Sequence, residues 1–390
     1  MIKLIQNGTV YTPERIGQKD ILITDKRIAY VGDSLEVPHD FVDVEVIDAS
    51  GKYVVPGFID SHVHIMGGGG EGGFRTRTPE LMLSEITQGG VTTVIGVIGT
   101  DGTTRTMSAL VAKAKALEEE GITCFVHTGS YQVPVKTLTG SIEKDLILID
   151  RIIGVGEVAI SDHRSSQPTI QELTRLSSEA RVGGILSGKA GIVNFHIGDS
   201  PSKLTMLEKI TETTDIPFSQ FHPTHVNRNR GLFDAAILYA KKGGYVDFTT
   251  STIQRFLDHG EVKCSKGLKE MLEKGVPIEQ ITFTSDGNGS LPEFDEQGNF
   301  IGLGIGQVTS LFVEVREAIK DENVPMEDAL QVITANPARV LKLEQKGIIE
   351  KGYDADLVIL EEETLEIDTV IAMGQVMVQN KQPLVKGTFE

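Results

Sequence analysis

Residues 57–64 have the sequence GFIDSHVH, an apolar run that ends in two histidines, His62 and His64. Residues i and i+2 of a strand point to the same side, so both imidazoles can bind one ion if the run is a strand. Imidazole and carboxylate groups are the ligands that divalent zinc takes in proteins. The stretch therefore predicts a strand with metal ligands at its carboxyl end.

Seven more short apolar runs follow along the chain. They are VTTVIGV (91–97), CFVHTGS (124–130), VGEVAIS (155–161), IVNFHIG (192–198), FSQFHPTH (218–225), YVDFTTS (245–251) and ITFTSDG (281–287). Helix-like segments lie between most of them, at 79–88, 106–120, 232–242 and 268–274. Apolar strands that alternate with amphipathic helices are typical of a parallel sheet. Eight such units predict an α/β fold with a (β/α)8 TIM barrel over residues 57–345, and a doubly wound sheet is the alternative.

The two ends of the chain have a different pattern. Short β-like runs such as KLIQNGTVY and DILITDKRIAYVG near the start, and DADLVIL and QVMVQN near the end, are separated by turn residues. We expect residues 1–56 and 346–390 to pair into one small β-sandwich, a discontinuous domain around the central barrel.

Composition limits the classes of partner. The formal net charge of −18 argues against binding to nucleic acid, which needs a basic surface, and against attraction to an anionic membrane. No run approaches the roughly 18 apolar residues of a membrane-spanning helix, and the start of the chain lacks a signal-peptide pattern. Cys124 and Cys264 have no CxxC spacing and are expected to be reduced thiols, so a cytoplasmic protein is predicted.

Further candidate ligands lie in the other predicted strands. His196 and His225 end the fifth and sixth strands, Asp286 ends the eighth, and Glu157 lies in the fourth. Because all carboxyl ends of barrel strands converge on one face, these groups should meet His62 and His64 there. The positions together predict a metal site, although a single histidine after a strand is more often structural.

These motifs resemble those of a known superfamily. PGFIDSHVH, the two strand-end histidines and SDG at Asp286 look like the amidohydrolase superfamily. The longer strings HVHIMGGGGEGG (62–73), TGSYQVP (128–134), AISDHRS (159–165), PTHVNRN (223–229) and TSDGNGS (284–290) resemble the isoaspartyl dipeptidase family within it. The resemblance runs nearly from end to end of the chain.

The resemblance implies hydrolysis of β-aspartyl (isoaspartyl) dipeptides to aspartate and a free amino acid. It implies two Zn²⁺ ions per chain, one held by His62, His64 and Asp286 and the other by His196 and His225. A hydroxide that bridges the ions would attack the amide. Asp286 would then take its proton and pass it to the leaving amine.

The chain departs from the family at the bridging ligand. Isoaspartyl dipeptidases typically use a carbamylated lysine at the end of the fourth strand, whereas Glu157 occupies that position here. Glutamate supplies a carboxylate without CO2 but has a shorter side chain than carbamyl-lysine. We expect Glu157 to bridge the metals.

The resemblance also assigns residues that bind the substrate. Glu71, in the loop GGGGEGG (67–73), is expected to pair with the substrate ammonium, and Arg164 and Arg228 with its carboxylates. Tyr131 is placed to donate to the developing oxyanion. The whole expected set of substrate-binding residues is Gly69, Glu71, Thr100, Tyr131, Arg164, Arg228 and Ser290, of which Glu71 and Tyr131 are also assigned to catalysis with Asp286.

Two other functions remain open from the sequence. One is a cyclic-amide hydrolase of the dihydroorotase or hydantoinase type, and the other is a non-catalytic scaffold relative. The resemblance further implies a homo-oligomer, with an octamer as the expected form. The remaining histidines are interpreted as structural, namely His39, His127, His163, His222 and His259.

Overall fold

Strands and helices alternate through the computed structural model, which describes residues 2–36, 42–294 and 300–390. The strands are β1 (Ile2–Tyr11), β2 (Arg15–Thr24), β3 (Arg27–Gly32), β4 (Val44–Asp48), β5 (Lys52–Pro56), β6 (Phe58–Val63), β7 (Val91–Gly96), β8 (Thr123–Thr128), β9 (Ile152–Ile160), β10 (Ile192–Ile197), β11 (Phe221–Thr224), β12 (Val246–Thr249), β13 (Ile281–Thr284), β14 (Ser290–Phe294), β15 (Phe300–Ile305), β16 (Leu357–Glu361), β17 (Ile367–Ala372), β18 (Gln375–Gln379) and β19 (Gln382–Pro383). The α-helices are α1 (Leu83–Thr87), α2 (Met107–Glu119), α3 (Ile142–Leu148), α4 (Ile170–Ser187), α5 (Thr205–Thr213), α6 (Arg230–Lys241), α7 (Gln254–Asp258), α8 (Cys264–Glu273), α9 (Ser310–Lys320), α10 (Met326–Gln331) and α11 (Ala335–Val340).

Strands β6 to β13 form the barrel. β6 to β11 pair side by side in chain order, all parallel, and β12 pairs in parallel with β13. The Val226 N–H donates to the Asp247 carbonyl at 3.2 Å, and the His64 N–H donates to the Gly287 carbonyl at 2.9 Å. These two contacts close the sheet on itself, which confirms the predicted (β/α)8 barrel.

Burial explains why the apolar runs became strands. Every residue of β7 and of β9 is buried, because the barrel interior covers one face of each strand and the helices cover the other. Two helices, α1 and α8, begin four residues away from the predicted start, whereas α2 and α6 begin within two residues of it. The N–H of Met82 donates to Glu85 at 2.8 Å, so α1 starts only after it. The N–H of Ser265 donates to Glu314 at 2.8 Å, which satisfies a first-turn donor of α8 and lets that helix start earlier.

The two ends of the chain share one sheet, as predicted. β5 pairs antiparallel with β16, so the N-terminal strands β1 to β5 and the C-terminal strands β16 to β19 form a nine-stranded sheet. This sheet folds over its own apolar core, which includes Ile5, Val10, Ile23, Val54, Ile359 and Ile371. The fold class is therefore confirmed, and the division of the chain at residues 56 and 345 stays a prediction.

No helix among the described residues is both long enough and apolar enough to cross a lipid bilayer. His39, interpreted above as structural, lies outside the described residues.

Candidate active site

The six predicted metal ligands lie together at the carboxyl ends of the barrel strands. They are His62 on β6, His64 just after it, Glu157 on β9, His196 on β10, His225 just after β11 and Asp286 just after β13. All six are buried. The barrel therefore brings residues that are distant in the sequence into one cluster.

The Glu157 carboxylate lies at the centre of this cluster. Its Oε1 is 3.3 Å from His64 Nε2, and its Oε2 is 3.3 Å from His62 Nε2. Oε2 is also 3.2 Å from His196 Nδ1 and 3.7 Å from His225 Nε2. One carboxylate that faces all four imidazoles is the arrangement expected of a ligand shared between two ions.

Two overlapping groups of ligand atoms could each hold a cation. One consists of His62, His64 and Asp286, and the other of His62, Glu157 and His225, with the ligand atoms of each group within 4.8 Å of one another. His196 lies outside both groups, but its ring centroid is 4.4 Å from that of His225. The predicted pairing of His196 with His225 is therefore close in space.

The chemistry of these donors fits a divalent cation. Among the described residues, the buried atoms His62 Nε2 and Asp286 Oδ1 make no well-aligned hydrogen bond, although Glu157 Oε2 lies 3.3 Å from the first and His64 Nε2 lies 3.0 Å from the second. Buried polar atoms without a hydrogen bond are costly unless another group binds them. Burial lowers the pKa of His64, but the adjacent carboxylates of Asp286 and Glu157 outweigh burial and raise that pKa to about 10. The cluster therefore favours positive charge between its carboxylates, as a bound metal ion supplies.

Two of the ligands sit in a backbone conformation that side chains rarely adopt. His225 has a φ of 63° and Asp286 a φ of 53°, both in the left-handed region. This conformation costs free energy for any residue except glycine. Residues that adopt it cluster at functional sites, where the surrounding structure holds them in place. At both positions the chain turns directly after a strand, at the mouth of the barrel.

The ring nitrogen that faces away from the cluster is held in three of the histidines. These contacts join His62 Nδ1 to Asn194 Oδ1 at 3.1 Å, His196 Nε2 to Asp162 Oδ2 at 3.0 Å, and His225 Nδ1 to the Thr249 hydroxyl. A partner on one nitrogen fixes which nitrogen is left to bind a metal. None of these three partners was predicted from the sequence. One signal was present, because Asn194 lies two residues before His196 and so shares its side of β10.

A cavity of about 560 Å³ opens above the cluster. All seven predicted substrate-binding residues line it, namely Gly69, Glu71, Thr100, Tyr131, Arg164, Arg228 and Ser290. His64, His196, His225 and Asp286 form part of the same wall. The structure therefore brings the two predicted sets of residues to one place.

The Glu71 carboxylate is held by three neighbours in this cavity. The Ser290 hydroxyl donates to both carboxylate oxygens at 3.0 Å, and the Thr100 hydroxyl donates to Oε1 at 3.3 Å. Arg164 Nη1 lies 3.4 Å from the same oxygen. A negative and a positive side chain therefore lie side by side at the wall of the cavity.

The polar atoms of Tyr131 and Arg164 contact neighbouring side chains, whereas Arg228 has a polar atom that does not. The Tyr131 hydroxyl lies 2.8 Å from His196 Nδ1, and the Arg164 guanidinium lies over the Tyr131 ring at 5.4 Å. Arg164 is also held by Asp162 through two side-chain hydrogen bonds. Arg228, in contrast, has a buried Nε with no hydrogen-bond partner among the described residues.

The remaining histidines divide into two pairs. His163 and His259 line the cavity, although the sequence analysis interpreted them as structural. His127 and His222 lie buried in the barrel, and burial lowers the pKa of each to about 3. These two imidazoles therefore stay neutral at physiological pH.

Comparison with known proteins gives three kinds of relative. The family model for the amidohydrolase family matches residues 53–377. The crystal structure of β-aspartyl dipeptidase from Fervidobacterium islandicum AW-1 in complex with β-Asp-Leu dipeptide is 46% identical, with 98% of each chain covered and a TM-score of 0.91. A dihydroorotase from Lactobacillus gasseri is 24% identical over 93% of this chain and 89% of that protein. A D-hydantoinase structure from Thermus sp. shares the fold at 18% identity, with a TM-score of 0.70 and 99% and 97% of the two chains covered.

Proposed function

The chain belongs to the amidohydrolase family, and we propose that it hydrolyses β-aspartyl (isoaspartyl) dipeptides to aspartate and a free amino acid. The observation that carries the proposal is the placement of Glu71 beside Arg164, in a cavity that also holds the metal-ligand cluster. The isoaspartyl residue carries its ammonium and its carboxylate on one carbon, so it requires adjacent groups of opposite charge. The 46% identity to a β-aspartyl dipeptidase supports the same substrate.

We assign the ligands to two zinc ions. His62, His64 and Asp286 would hold the first, His196 and His225 the second, and Glu157 would be shared. When bound, such ions lower the pKa of a water molecule and polarise the carbonyl group of an amide.

The side chains of the cavity supply binding and proton transfer. Burial raises the pKa of Asp286, but the neighbouring His64, His225 and His62 lower it below its ordinary value. Asp286 is therefore ionised at neutral pH, and its Oδ1 can accept a proton from the attacking water and deliver it to the leaving nitrogen. Burial keeps the pKa of Tyr131 well above its ordinary range, so its hydroxyl stays protonated and can donate to the carbonyl oxygen as negative charge develops there.

Arg228 is the second cation of the cavity. Its Nε lacks a hydrogen-bond partner among the described residues, and a guanidinium binds a carboxylate with two parallel hydrogen bonds. We assign Arg228 to the carboxylate of the leaving amino acid and Arg164 to that of the isoaspartyl residue. Two arginines and one glutamate then match the two carboxylates and the single ammonium of the substrate.

The cellular compartment and the oligomeric state are also part of the proposal. Cys124 and Cys264 are buried free thiols, which is compatible with a reducing compartment, and we propose the cytoplasm. We also propose a homo-oligomer, as expected for the isoaspartyl dipeptidase family.

A direct assay tests the proposed function. Zinc-loaded protein is given β-Asp-Leu, α-Asp-Leu, dihydroorotate and hydantoin, and release of amino acid or ring opening is followed. We expect turnover of β-Asp-Leu alone. Turnover of dihydroorotate or hydantoin at a rate equal to or above that of β-Asp-Leu would instead assign the chain to the cyclic-amide hydrolases, whose curated sequences it resembles at 24% identity.

A further inference from the structure

Asp162 touches both halves of the site and has no assigned role. Its Oδ2 lies 3.0 Å from His196 Nε2 and accepts from Arg164 Nη2 at 2.8 Å. Its Oδ1 accepts from the Arg164 backbone N–H at 2.7 Å and from Arg164 Nε at 3.0 Å. One buried carboxylate therefore contacts a candidate metal ligand and a candidate substrate-binding arginine at the same time.

On the metal side, the contact selects the orientation of His196. Asp162 Oδ2 lies 3.0 Å from Nε2, and Arg164 Nη2, which Asp162 holds, lies 3.2 Å from the same nitrogen. The carboxylate favours the tautomer in which Nε2 carries the hydrogen and donates it to Asp162. Nδ1 is then the nitrogen left to bind a metal, on the side of the ring where Glu157 Oε2 lies 3.2 Å away and the Tyr131 hydroxyl 2.8 Å away.

On the substrate side, the contact holds Arg164 in one position. Three of the four contacts of Asp162 are donated by Arg164, and the Arg164 side chain is largely buried. A guanidinium held on one edge keeps its free edge at a fixed place, where Nη1 faces Glu71.

We propose that Asp162 is a positioning residue that sets the His196 imidazole and the Arg164 guanidinium together, and so couples the metal site to the recognition of the substrate carboxylate. The Arg164 half of this inference rests on the proposed function. The His196 half does not, because it concerns a ligand of the cluster alone.

An asparagine at this position cannot replace the carboxylate. All the groups that Asp162 faces are donors, on both of its oxygens. The amide of Asn has one acceptor oxygen and one NH2 group, so in either orientation it sets a donor against a donor. The nearly isosteric variant Asp162→Asn therefore loses a hydrogen bond to His196 or to Arg164 without a change in side-chain volume.

The test compares Asp162→Asn with two other variants. We expect Asp162→Asn to lower the affinity for Zn²⁺, measured by chelator competition without substrate, by roughly 10- to 100-fold, and to raise KM for β-Asp-Leu. Arg164→Gln should raise KM but keep a zinc affinity close to that of the unmodified protein. Asp145→Asn is the matched control, because Asp145 is a buried carboxylate that accepts from Thr128, Leu138 and Thr139 outside the cavity; it should lower the midpoint of unfolding without a change in zinc affinity.

The outcomes distinguish the contact of Asp162 with His196 from its contact with Arg164. Unchanged zinc affinity and unchanged KM in Asp162→Asn would overturn the proposal, and so would a loss of zinc affinity of equal size in Asp145→Asn. If Asp162→Asn does not fold, Asp162→Glu is measured instead, since it keeps the charge but cannot keep both contacts; the same two quantities should change, and their constancy would overturn the proposal. If the protein does not hydrolyse β-Asp-Leu while the zinc result holds, the proposed function fails and the link from Asp162 to His196 stands.

Discussion

Asp286 has two proposed roles, metal ligand and proton-transfer base, that a single substitution can separate. Its Oδ1 has no hydrogen-bond partner among the described residues, and His64 Nε2 lies 3.0 Å from it. Asp286→Asn keeps an oxygen ligand but removes the base, so kcat should fall by at least the ~10²–10⁴ that general acid–base catalysis supplies, while KM changes little. Steady-state kinetics with zinc content measured on the same sample checks this. A variant that kept a tenth of the original kcat with full zinc would remove Asp286 from proton transfer.

Glu71 offers a test of how the substrate ammonium is recognised. The Ser290 and Thr100 hydroxyls hold its carboxylate in place at the cavity wall. If Glu71 pairs with the ammonium, Glu71→Gln should lose about 1.5–3 kcal/mol of binding, or roughly ten- to a hundred-fold in kcat/KM. N-acetyl-β-Asp-Leu should be a poor substrate of the unmodified protein for the same reason. Equal turnover of the acetylated and free peptides would show that Glu71 has another role.

If Glu157 bridges the metals as proposed, the site does not depend on CO2. Burial raises the pKa of Glu157, but His62, His196 and His225 outweigh it and hold the pKa well below its ordinary value, so the carboxylate is ionised without modification. Metal-free protein given zinc in CO2-depleted buffer should therefore regain full activity, with no gain from bicarbonate. Glu157→Gln removes the charge that faces all four imidazoles and should lose the more weakly bound zinc. If recovery of activity requires bicarbonate, or if Glu157→Gln binds as much zinc as the unmodified protein, Glu157 is not the bridging ligand.

At the scale of secondary-structure elements, features that depend on the local sequence could be predicted, whereas features that depend on contacts with distant residues could not. The barrel strands were predictable because burial on both faces demands a continuous apolar run, as in β7 and β9. The first residues of α8 were not, because the Ser265 N–H is satisfied by Glu314 from α9, a contact that no local pattern reveals. Helix ends depend on such remote partners, whereas strand positions in a barrel depend on the local sequence.

The same distinction holds within the site. The clustering of the six candidate ligands was predictable because strand ends converge on one face, whatever the details of packing. Asp162 and Thr249 were not predicted as partners of His196 and His225, because each contact depends on the spacing between neighbouring strands and loops. The left-handed conformation of Asp286 has no sequence signal either, since it is a property of the turn after β13.

Helix α4 is the longest helix among the described residues and begins with a reciprocal cap. The Thr169 hydroxyl accepts from the Glu172 N–H, and Glu172 in turn accepts from the Thr169 N–H at 2.8 Å. Thr169→Ala should lower the free energy of unfolding by roughly 0.5–2 kcal/mol, with no change in KM. Thr213→Ala is a suitable control, because that exposed hydroxyl bonds only within the last turn of α5. Equal midpoints of thermal unfolding for the two variants would contradict the role of the cap.

At the scale of the whole molecule, one lysine connects the barrel to the sheet formed by the chain ends. Lys346 Nζ donates to the Thr123 hydroxyl on β8 at 2.6 Å and forms ion pairs with Asp354, at 2.9 Å, and with Asp356, just before β16. Lys346 and both carboxylates are buried. The sheet carries none of the six candidate metal ligands, so these contacts join it to the barrel away from the cluster.

Removal of this lysine should therefore destabilise the whole chain rather than the site. Lys346→Met leaves the buried carboxylate of Asp356 without its cation, whereas Asp354 keeps an ion pair with Arg27 at 2.6 Å. The loss of one partner of a buried ion pair costs roughly 3–5 kcal/mol. The double variant Lys346→Met/Asp356→Asn removes the unpaired charge and should recover much of that loss. Thermal unfolding of the three proteins, with kcat measured well below the lowest midpoint, checks both statements. If the single variant unfolds at the temperature of the unmodified protein, the ion pairs do not stabilise the junction. If the double variant is no more stable than the single one, the lost stability comes from the contact with Thr123 and from packing, rather than from unpaired charge.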